Sequence, residues 1–400
     1  MAFVFLIVVI LLSSLQCSSY ISVVKNAERL KYPLLGSKIS LPNFNGPYDL
    51  QLRFVLLLHG KYSDYLLYSA SDYSNSCFRS FFFRSPCKLN LFLRILGRRP
   101  NGFHDLASLF QAVSLSDTMY FSKLPDSATQ DEMGCTAGDL PVDDSNLVIK
   151  ALNLMRSKSG ISDAYFKVYL DKNVPMQAGL GGGSANAATA MFAFNELMGQ
   201  PVTMQQMVEW SGDIGSDITF FFTSGTAYCT GRGEIVTSMP ALPGASQIKV
   251  HIFKPTQGLS TRRVFQALDL DDLHPTPPET LLRSWQTGPL FSASKGGLVN
   301  DLEPPAFQCE PALLSLKSAI ADCKGAVGVM MSGSGTSIYA LSSISEPIGE
   351  NIIPKLFQYI SRDHPSSNQS FCRVLHFFSQ RASKKCLNDF QTCVISSVTW

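Results

Sequence analysis

The stretch PMQAGLGGGSANAATA, residues 175–190, places four glycines within five residues, directly before an alanine-rich segment. Glycine has no Cβ, so it lets backbone N–H groups approach an anion closely. The helix that the alanines predict would add unpaired amide donors and the positive end of its dipole. The stretch therefore predicts a phosphate site at a helix start. Close packing of a helix on a strand through glycine is the alternative.

The sequence of this loop does not match either of two common nucleotide-binding motifs. A Walker A loop needs a lysine after the glycines, and a dinucleotide fingerprint needs a glycine where Ser184 stands. We expect Ser184 to cap a helix from about Ala185 to Met198, which Pro201 ends. Its hydroxyl would also be placed to contact phosphate or Mg²⁺.

The composition describes a globular chain and excludes several function classes. The 400 residues are 45% hydrophobic and 16% charged, which favours two domains or one large one. A net charge of +2 provides no electrostatic footprint for nucleic acid. The ten cysteines include no C-x-x-C pair and the six histidines no i, i+4 pair, so neither zinc nor redox motifs are indicated. Small polar or anionic substrates remain open.

The two ends of the chain differ from the rest. The apolar run Phe3–Leu12 has the length of a signal-peptide core and is too short for a membrane span. Taken alone it favours the secretory route. We interpret residues 1–82 as a targeting leader or the product of misassigned exon ends, and 358–400 as an atypical tail.

Between these ends the pattern predicts an α+β protein of two domains. KLNLFLRIL, residues 88–96, predicts a half-buried strand with Asn90 and Arg94 on its polar face. PALPGAS, residues 240–246, is a candidate domain boundary. Further strands are expected at 165–175, at 247–255, and in strand–turn–strand units at 217–236 and 325–342; helices are expected at 263–270 and 311–323.

Seven motifs occur in an order that resembles the GHMP small-molecule kinases over residues 83–345. They are SPCKLNLFL (85–93), GRRPNGFHDLASLF (97–110), DDSNLVIKALNL (143–154), IGSDITFFF (214–222), AYCTGRGE (227–234), NDLE (300–303) and GVMMSGSGTS (328–337), besides the glycine loop. The resemblance implies a ribosomal protein S5 domain 2-like N-terminal domain, 83–243. A ferredoxin-like C-terminal domain, 244–357, would follow it.

The resemblance also implies a reaction, with ATP and Mg²⁺ as cofactors. The expected substrate is a cytidyl diphosphate-linked methylerythritol whose 2-hydroxyl is phosphorylated, in the non-mevalonate isoprenoid pathway of plastids. Asp217 is the expected general base for the hydroxyl proton, with an Asx-turn role as its alternative. Lys88 needs a partner on its apolar strand, and in the family it lies beside this carboxylate. A strand-edge surface lysine is its alternative.

The remaining expected site residues also come from the resemblance. Phe103 and Phe265 would sandwich the cytosine, His104 would hydrogen-bond its edge, and Asn90 and Thr261 would contact the rest of the substrate. A buried Phe with a turn His, and a plain hairpin for 331–337, are the alternatives. The expected ATP contacts are Gly179, Leu180, Gly181, Gly182, Gly183, Ser184, Asn146, Lys172, Gly333, Ser334 and Gly335.

Ala185 departs from the family pattern, which has a second serine there. If that hydroxyl helps to hold phosphate, its loss would lower activity. Two alternative functions therefore stay open. One is another GHMP kinase of the homoserine or mevalonate type, and the other is a catalytically impaired paralogue that only binds nucleotide.

Overall fold

The computed structural model describes residues 54–60, 63–69, 79–255, 258–288, 296–343 and 392–394. The leader run Phe3–Leu12 and most of the tail 358–400 lie outside them. The strands are β1 (Phe54–Gly60), β2 (Ser63–Ser69), β3 (Arg79–Arg98), β4 (His104–Lys123), β5 (Glu132–Cys135), β6 (Phe166–Asp171), β7 (Thr226–Gly231), β8 (Ile235–Ser238), β9 (Ile248–Phe253), β10 (Gly328–Met331), β11 (Ile338–Ser343) and β12 (Thr392–Val394).

Seven α-helices complete the described part of the chain. They are α1 (Leu147–Ser159), α2 (Gly182–Leu197), α3 (Met204–Ser211), α4 (Thr261–Gln266), α5 (Pro278–Thr287), α6 (Glu303–Cys309) and α7 (Ala312–Ala321), with short 3₁₀ turns at Thr219–Phe222 and Ala245–Gln247. None of these helices has both the length and the apolar character that a membrane crossing demands.

The larger sheet has the strand order β1-β2-β3-β4-β6-β5, with β7 paired to β4 and β8 to β7. The chain divides into two compact units. The described residues of the smaller unit lie within 54–83, 119–133 and 163–169. In it β1 and β2 pair antiparallel, with Phe54 opposite Ser69. The Phe83 and Phe121 rings meet edge to face at 5.9 Å, which is a favourable aromatic geometry.

The larger unit contains every predicted site residue. In it β4 pairs antiparallel with β7, from Leu106 opposite Gly231 to Gln111 opposite Thr226. The second sheet has the order β10-β11-β9-β12. One apolar core holds Leu89 of β3 together with Val250 of β9. Because the predicted boundary at 243/244 falls inside this unit, the two-domain division by residue number stays a prediction.

Local pattern predicted most of these elements correctly. The alternation of Phe166, Val168 and Leu170 is realised in β6, where all three are buried. The turn after β3 joins it to β4, and α7 occupies the segment expected to be helical. The helix predicted at 263–270 begins and ends earlier, as α4. Sequence pattern did not single out α1, α3, α5 or α6.

Two expectations were wrong. The cap of α2 is Gly181 in the left-handed conformation (φ 68°) and not Ser184, which lies inside the first turn. The segment predicted as a strand at 217–222 forms a 3₁₀ turn. Ile218, Phe220 and Phe221 are all buried, and a strand would turn neighbouring side chains to opposite faces. The apolar run therefore reflects burial on every side of a compact turn.

Candidate active site

Strand β3 carries the central cation of the site. The Lys88 side chain is 4% exposed, and its ammonium lies 2.9 Å from Asn90 Oδ1 and 3.5 Å from Asp217 Oδ2. The ammonium also lies 4.3 Å from the centre of the Phe110 ring. A buried ammonium is tolerated only when it is paired. The predicted pair of Lys88 and Asp217 is therefore present, and the surface-lysine alternative is excluded.

Asp217 is the more accessible member of this pair, with a third of its side chain exposed. It precedes the 3₁₀ turn rather than a strand, and it lies beside the turn between β7 and β8. A Cβ on Gly233 would stand 3.2 Å from Asp217 Oδ1. The carboxylate thus faces open space on one side and the buried ammonium on the other, as a base that must reach a substrate hydroxyl requires.

The polar face of β3 is buried, although the alternation predicted a solvated one. Asn90 donates to Ser108 Oγ at 2.8 Å, and the Tyr339 hydroxyl donates to the Asn90 carbonyl at 2.8 Å. The Ser332 hydroxyl lies 3.4 Å from Asn90 Oδ1. Residues from β11 and the loop before it cover this face, which is why local periodicity did not reveal its burial.

The two small-residue loops are in direct contact. Ser332 Oγ donates to the Gly179 carbonyl at 2.9 Å, and the Ser337 amide donates to the Ala178 carbonyl at 3.3 Å. Gly179 has φ 72°, and a Cβ there would stand 2.0 Å from the Ser332 carbonyl oxygen. No residue other than glycine fits at this contact. The second loop is therefore more than an isolated hairpin turn.

The start of α2 presents the features of an anion site. Gly181 makes no side-chain cap, and the first amides of a helix have no intrahelical acceptor. A Cβ on Gly181 would meet the Lys88 side chain at 3.1 Å, so the glycine allows the lysine to lie against the loop. Ser184 is partly exposed at the helix start.

Ala185 stands where the family pattern has a second serine. Its side chain is 0% exposed and points into the protein. A serine hydroxyl at this position would be buried in this structure. A loss of activity caused by the missing hydroxyl stays a prediction.

The buried carboxylate that supports this loop was not predicted from the sequence. Asp117, 0% exposed, accepts hydrogen bonds from Lys172 Nζ at 2.6 Å and from the Val174 amide at 2.7 Å. Asn186 of α2 donates to the same carboxylate at 2.9 Å. An acidic residue within the apolar strand β4 was the available signal, by the argument that had singled out Lys88.

Two predicted ATP contacts have structural partners in this arrangement. Lys172 also donates to the Val174 carbonyl at 2.6 Å, so its ammonium holds the segment that leads into the glycine loop. Asn146 caps α1, because its Oδ1 accepts from the Val148 amide at 2.8 Å. Contact of either residue with ATP stays a prediction.

The residues expected to bind the base come together only in part. The rings of His104 and Phe265 stack at 5.1 Å with 30° between their planes. Phe103 is 55% exposed, and the Arg232 guanidinium lies 5.3 Å from its centre. Burial, followed by the charge of Arg98, lowers the pKa of His104. The neutral imidazole, which can both donate and accept a hydrogen bond, is therefore favoured.

Thr261 lies at the start of α4, and its hydroxyl is 2.8 Å from that of Ser334. This contact joins an expected substrate residue to the second small-residue loop. Gly333 and Gly335 flank Ser334, and both have positive φ. Cys229 is close enough to Lys88 and Asp217 to respond to their charges, and burial raises the pKa of its thiol far above the ordinary value. It stays protonated.

The NDLE segment ties β3 to the second small-residue loop. Asn300 Nδ2 donates to the Met331 and Gly333 carbonyls at 2.9 and 2.8 Å. Asp301 accepts from Arg94 Nε at 2.8 Å in a buried ion pair. These contacts, which local pattern did not predict, hold the loop in place relative to the strand that carries Lys88.

Comparison with known families agrees with this arrangement. The sequence profile described as GHMP kinases N terminal domain matches residues 146–225, and that of the GHMP kinases C terminal matches residues 288–356. Among solved structures, a 4-(cytidine 5'-diphospho)-2C-methyl-D-erythritol kinase aligns with a TM-score of 0.55 at 27% identity, covering 70% of this chain and 95% of that one. A homoserine kinase from Cytophaga hutchinsonii, with TM-score 0.54 and 19% identity, shares the fold, covering 74% of this chain and 94% of that one.

Sequence relatives are more similar still. The chloroplastic 4-diphosphocytidyl-2-C-methyl-D-erythritol kinase of Oryza sativa subsp. japonica is 45% identical over 302 residues, 75% of this chain and 71% of that one. The chloroplastic enzyme of the same name from Arabidopsis thaliana is 49% identical over 265 residues, 66% and 68% of the two chains. The Protochlamydia amoebophila kinase is 43% identical over 277 residues, 69% and 87%. The chain therefore belongs to the GHMP kinase family, and within it to the group of 4-diphosphocytidyl-2-C-methyl-D-erythritol kinases.

Proposed function

We propose that the chain transfers the terminal phosphoryl group of ATP to the 2-hydroxyl of 4-diphosphocytidyl-2-C-methyl-D-erythritol, a step in non-mevalonate isoprenoid precursor synthesis. The observation that carries the proposal is the pair of Lys88 and Asp217, 3.5 Å apart, beside two glycine loops in mutual contact. Positioning and charge stabilisation supply most of the catalysis in phosphoryl transfer. The names of the relatives support the identity of the substrate.

Asp217 and Lys88 have distinct roles in this proposal. The exposed face of the Asp217 carboxylate takes the proton from the attacking hydroxyl. Lys88 holds the carboxylate from its buried side and opposes the negative charge that grows on the transferred group. Asn90 keeps the ammonium in place through its Oδ1, and its own amide is held by Ser108. The burial of this network limits access of water to the ammonium.

The residues at the start of α2 fit a nucleotide triphosphate. Gly179 and Gly181 have positive φ, and the uncapped helix start presents backbone donors. ATP supplies the phosphoryl group when bound. The amides of the glycine loop and of 333–335 would hold its phosphates between the two loops, with Ser184 contributing its hydroxyl.

Mg²⁺ is the proposed metal cofactor. Within the described residues no cluster of three or more His, Cys, Asp or Glu is placed to hold a metal ion. This agrees with the usual mode of Mg²⁺ in kinases, in which phosphate oxygens and water supply most ligands. Ser184 is the residue we propose as its protein ligand. The ion would neutralise charge on the phosphates.

We propose the plastid as the compartment, because the Oryza sativa and Arabidopsis thaliana relatives are named chloroplastic. The secretory alternative raised by the leader run Phe3–Leu12 falls on residues outside the described part of the chain. Import of the full chain fused to a fluorescent protein into isolated chloroplasts is the direct assay. Uptake into microsomes instead would contradict the proposal.

The test of the function is ATP consumption by the purified chain with three alcohols. We expect turnover with 4-diphosphocytidyl-2-C-methyl-D-erythritol and little with homoserine or mevalonate. Turnover with either of the other alcohols would favour another GHMP kinase type. Binding of ATP without turnover of any of the three would favour the impaired paralogue. The pair of Lys88 and Asp217 argues against that outcome.

A further inference from the structure

Arg232 stands between the two ends of the proposed site. It lies in the turn of residues 231–234 between β7 and β8, and its guanidinium carbon is 5.3 Å from the centre of the Phe103 ring. The next residue, Gly233, is close to Asp217, since a Cβ on it would stand 3.2 Å from Asp217 Oδ1. The arginine thus lies between the expected base contact and the expected proton acceptor.

The turn is built to hold this arginine backbone in one place. Gly231 and Gly233 both have positive φ, at 71° and 112°. A Cβ on Gly231 would stand 2.9 Å from Glu234 Oε2, and the same carboxylate accepts a hydrogen bond from the Arg232 amide. Larger residues would displace the carboxylate from the turn. The two glycines therefore fix the position of the Arg232 backbone in this turn.

The guanidinium retains donor capacity. Its side chain is 37% exposed, and its Nε forms an ion pair with Glu234 Oε1 at 3.5 Å but donates no hydrogen bond to any described residue. Of the other cations in this region, Lys88 is paired with Asn90 and Asp217, and Arg99 with Asp105 at 2.5 Å. Arginine presents a planar set of donors that matches phosphate oxygens in pairs.

We propose that Arg232 binds the diphosphate of the substrate and is a specificity-determining residue for nucleoside diphosphate-linked alcohols; this rests on the proposed function. Such a substrate carries a base at one end, a reacting hydroxyl at the other and two phosphates between them. The structure offers Phe103 and Asp217 for the two ends. The Arg232 guanidinium faces the Phe103 ring, and the adjacent residue Gly233 lies next to Asp217. A guanidinium over the Phe103 ring also orients the aromatic surface on which the base would stack.

The test compares binding of cytidine diphosphate and of cytidine to the full chain by calorimetry. In the unaltered chain we expect the diphosphate to bind more tightly than the nucleoside. Arg232→Gln should weaken the diphosphate by about tenfold, the usual effect of losing a charged hydrogen bond, and leave cytidine within about twofold. Arg232→Lys should restore part of the difference, because lysine keeps the charge but not the paired donors. Retained cytidine binding reports that each variant is folded.

Arg98→Gln is the matched control. Arg98 is exposed and close enough to His104 to lower its pKa, but nothing places it beside Asp217. We expect it to leave the preference for the diphosphate unchanged. A selective loss in Arg98→Gln instead, or equal weakening of both ligands in Arg232→Gln, would overturn the assignment. Either outcome would leave the proposed function standing, provided that the unaltered chain consumes ATP with the cytidyl substrate. If the unaltered chain did not consume ATP with this substrate, both the proposed function and the role of Arg232 would be contradicted.

Discussion

At the scale of single residues, Lys88 illustrates how one side chain joins several parts of the site. Its amide donates to the Leu180 carbonyl at 2.9 Å, so the strand and the glycine loop are tied together at this residue. Its ammonium reaches Asn90 and Asp217 from the buried side. In the proposed function the loop therefore needs no lysine of its own, because a strand residue about ninety positions earlier would supply the cation.

The variant Asp217→Asn tests whether the Asp217 carboxylate acts as the general base. The amide keeps the size and the neighbours of the carboxylate but cannot take the proton from the hydroxyl, so we expect kcat to fall by about 10²–10⁴-fold. ATP binding should persist, because the glycine loops are unchanged. Steady-state kinetics and ATP titration measure the two quantities. Turnover close to that of the unaltered chain would remove Asp217 from the base role.

Phe265→Ala tests the stacking surface. The ring stacks on His104 at 5.1 Å, and removal of one stacking partner costs about 1–3 kcal/mol per base. We expect the KM for the cytidyl substrate to rise roughly tenfold or more while the KM for ATP stays near its original value. An unchanged KM for the cytidyl substrate would contradict the assignment.

At the scale of elements, the contact between the two small-residue loops sets the geometry of the proposed phosphate site. Gly179 has a positive φ, and there is no room for a Cβ on it, because that atom would stand 2.0 Å from the Ser332 carbonyl oxygen. Asn300 holds the second loop through its two carbonyl contacts. Neither loop on its own would define the position of the other.

Gly179→Ala tests this contact, with Gly199→Ala as the matched control. Gly199 also has a positive φ, 81°, but a Cβ on it would meet nothing within 4 Å. Both variants should lose about 1 kcal/mol of stability from the backbone conformation. Only Gly179→Ala should displace the second loop and raise the KM for ATP several-fold. Equal KM values for ATP in the two variants would show that the loop contact does not position the nucleotide.

At the scale of the whole molecule, buried titratable groups predict how stability depends on pH. His251 of β9 hydrogen-bonds Ser342 of β11 at 2.9 Å. Burial, followed by the charge of Lys249, lowers its pKa to about 4. The unfolded state therefore binds a proton near the ordinary pKa of about 6.5, whereas the folded state does so only near the lower value. Stability should be fully present above pH ~6.5 and decline toward about 4.

The measurement is urea unfolding at pH 7 and at pH 5, for the unaltered chain and for His251→Gln. Glutamine retains a hydrogen-bonding group for Ser342 but does not titrate. We expect the unaltered chain to lose on the order of 1 kcal/mol between these pH values, after allowance for partial exposure of the ring. His251→Gln should lose less. Equal losses in both chains would exclude His251 as the source.

Much of the fold was predictable from local pattern, and particular elements show where the prediction ended. Alternation located β3, β6 and β9, and the glycines located the start of α2 within three residues. The 3₁₀ turn at Thr219–Phe222 was predicted as a strand, because a short run of buried residues gives the same sequence pattern in either structure. The helix cap was misassigned because glycine, and not the serine, adopts the left-handed conformation at the helix start.

The candidate site follows the same division. The sequence by itself determined that Lys88 needed a partner and which family motifs were present in order, and it predicted that the glycine loop binds an anion. Only the tertiary structure decided that Asp117 supports the loop, that Asp301 pairs with Arg94, and that Arg232 lies between Phe103 and Asp217. Periodicity reports which face of an element is apolar, and it does not report which distant segment covers either face. Each of these decisive contacts joins residues far apart in the chain, so only the packed fold could bring them together.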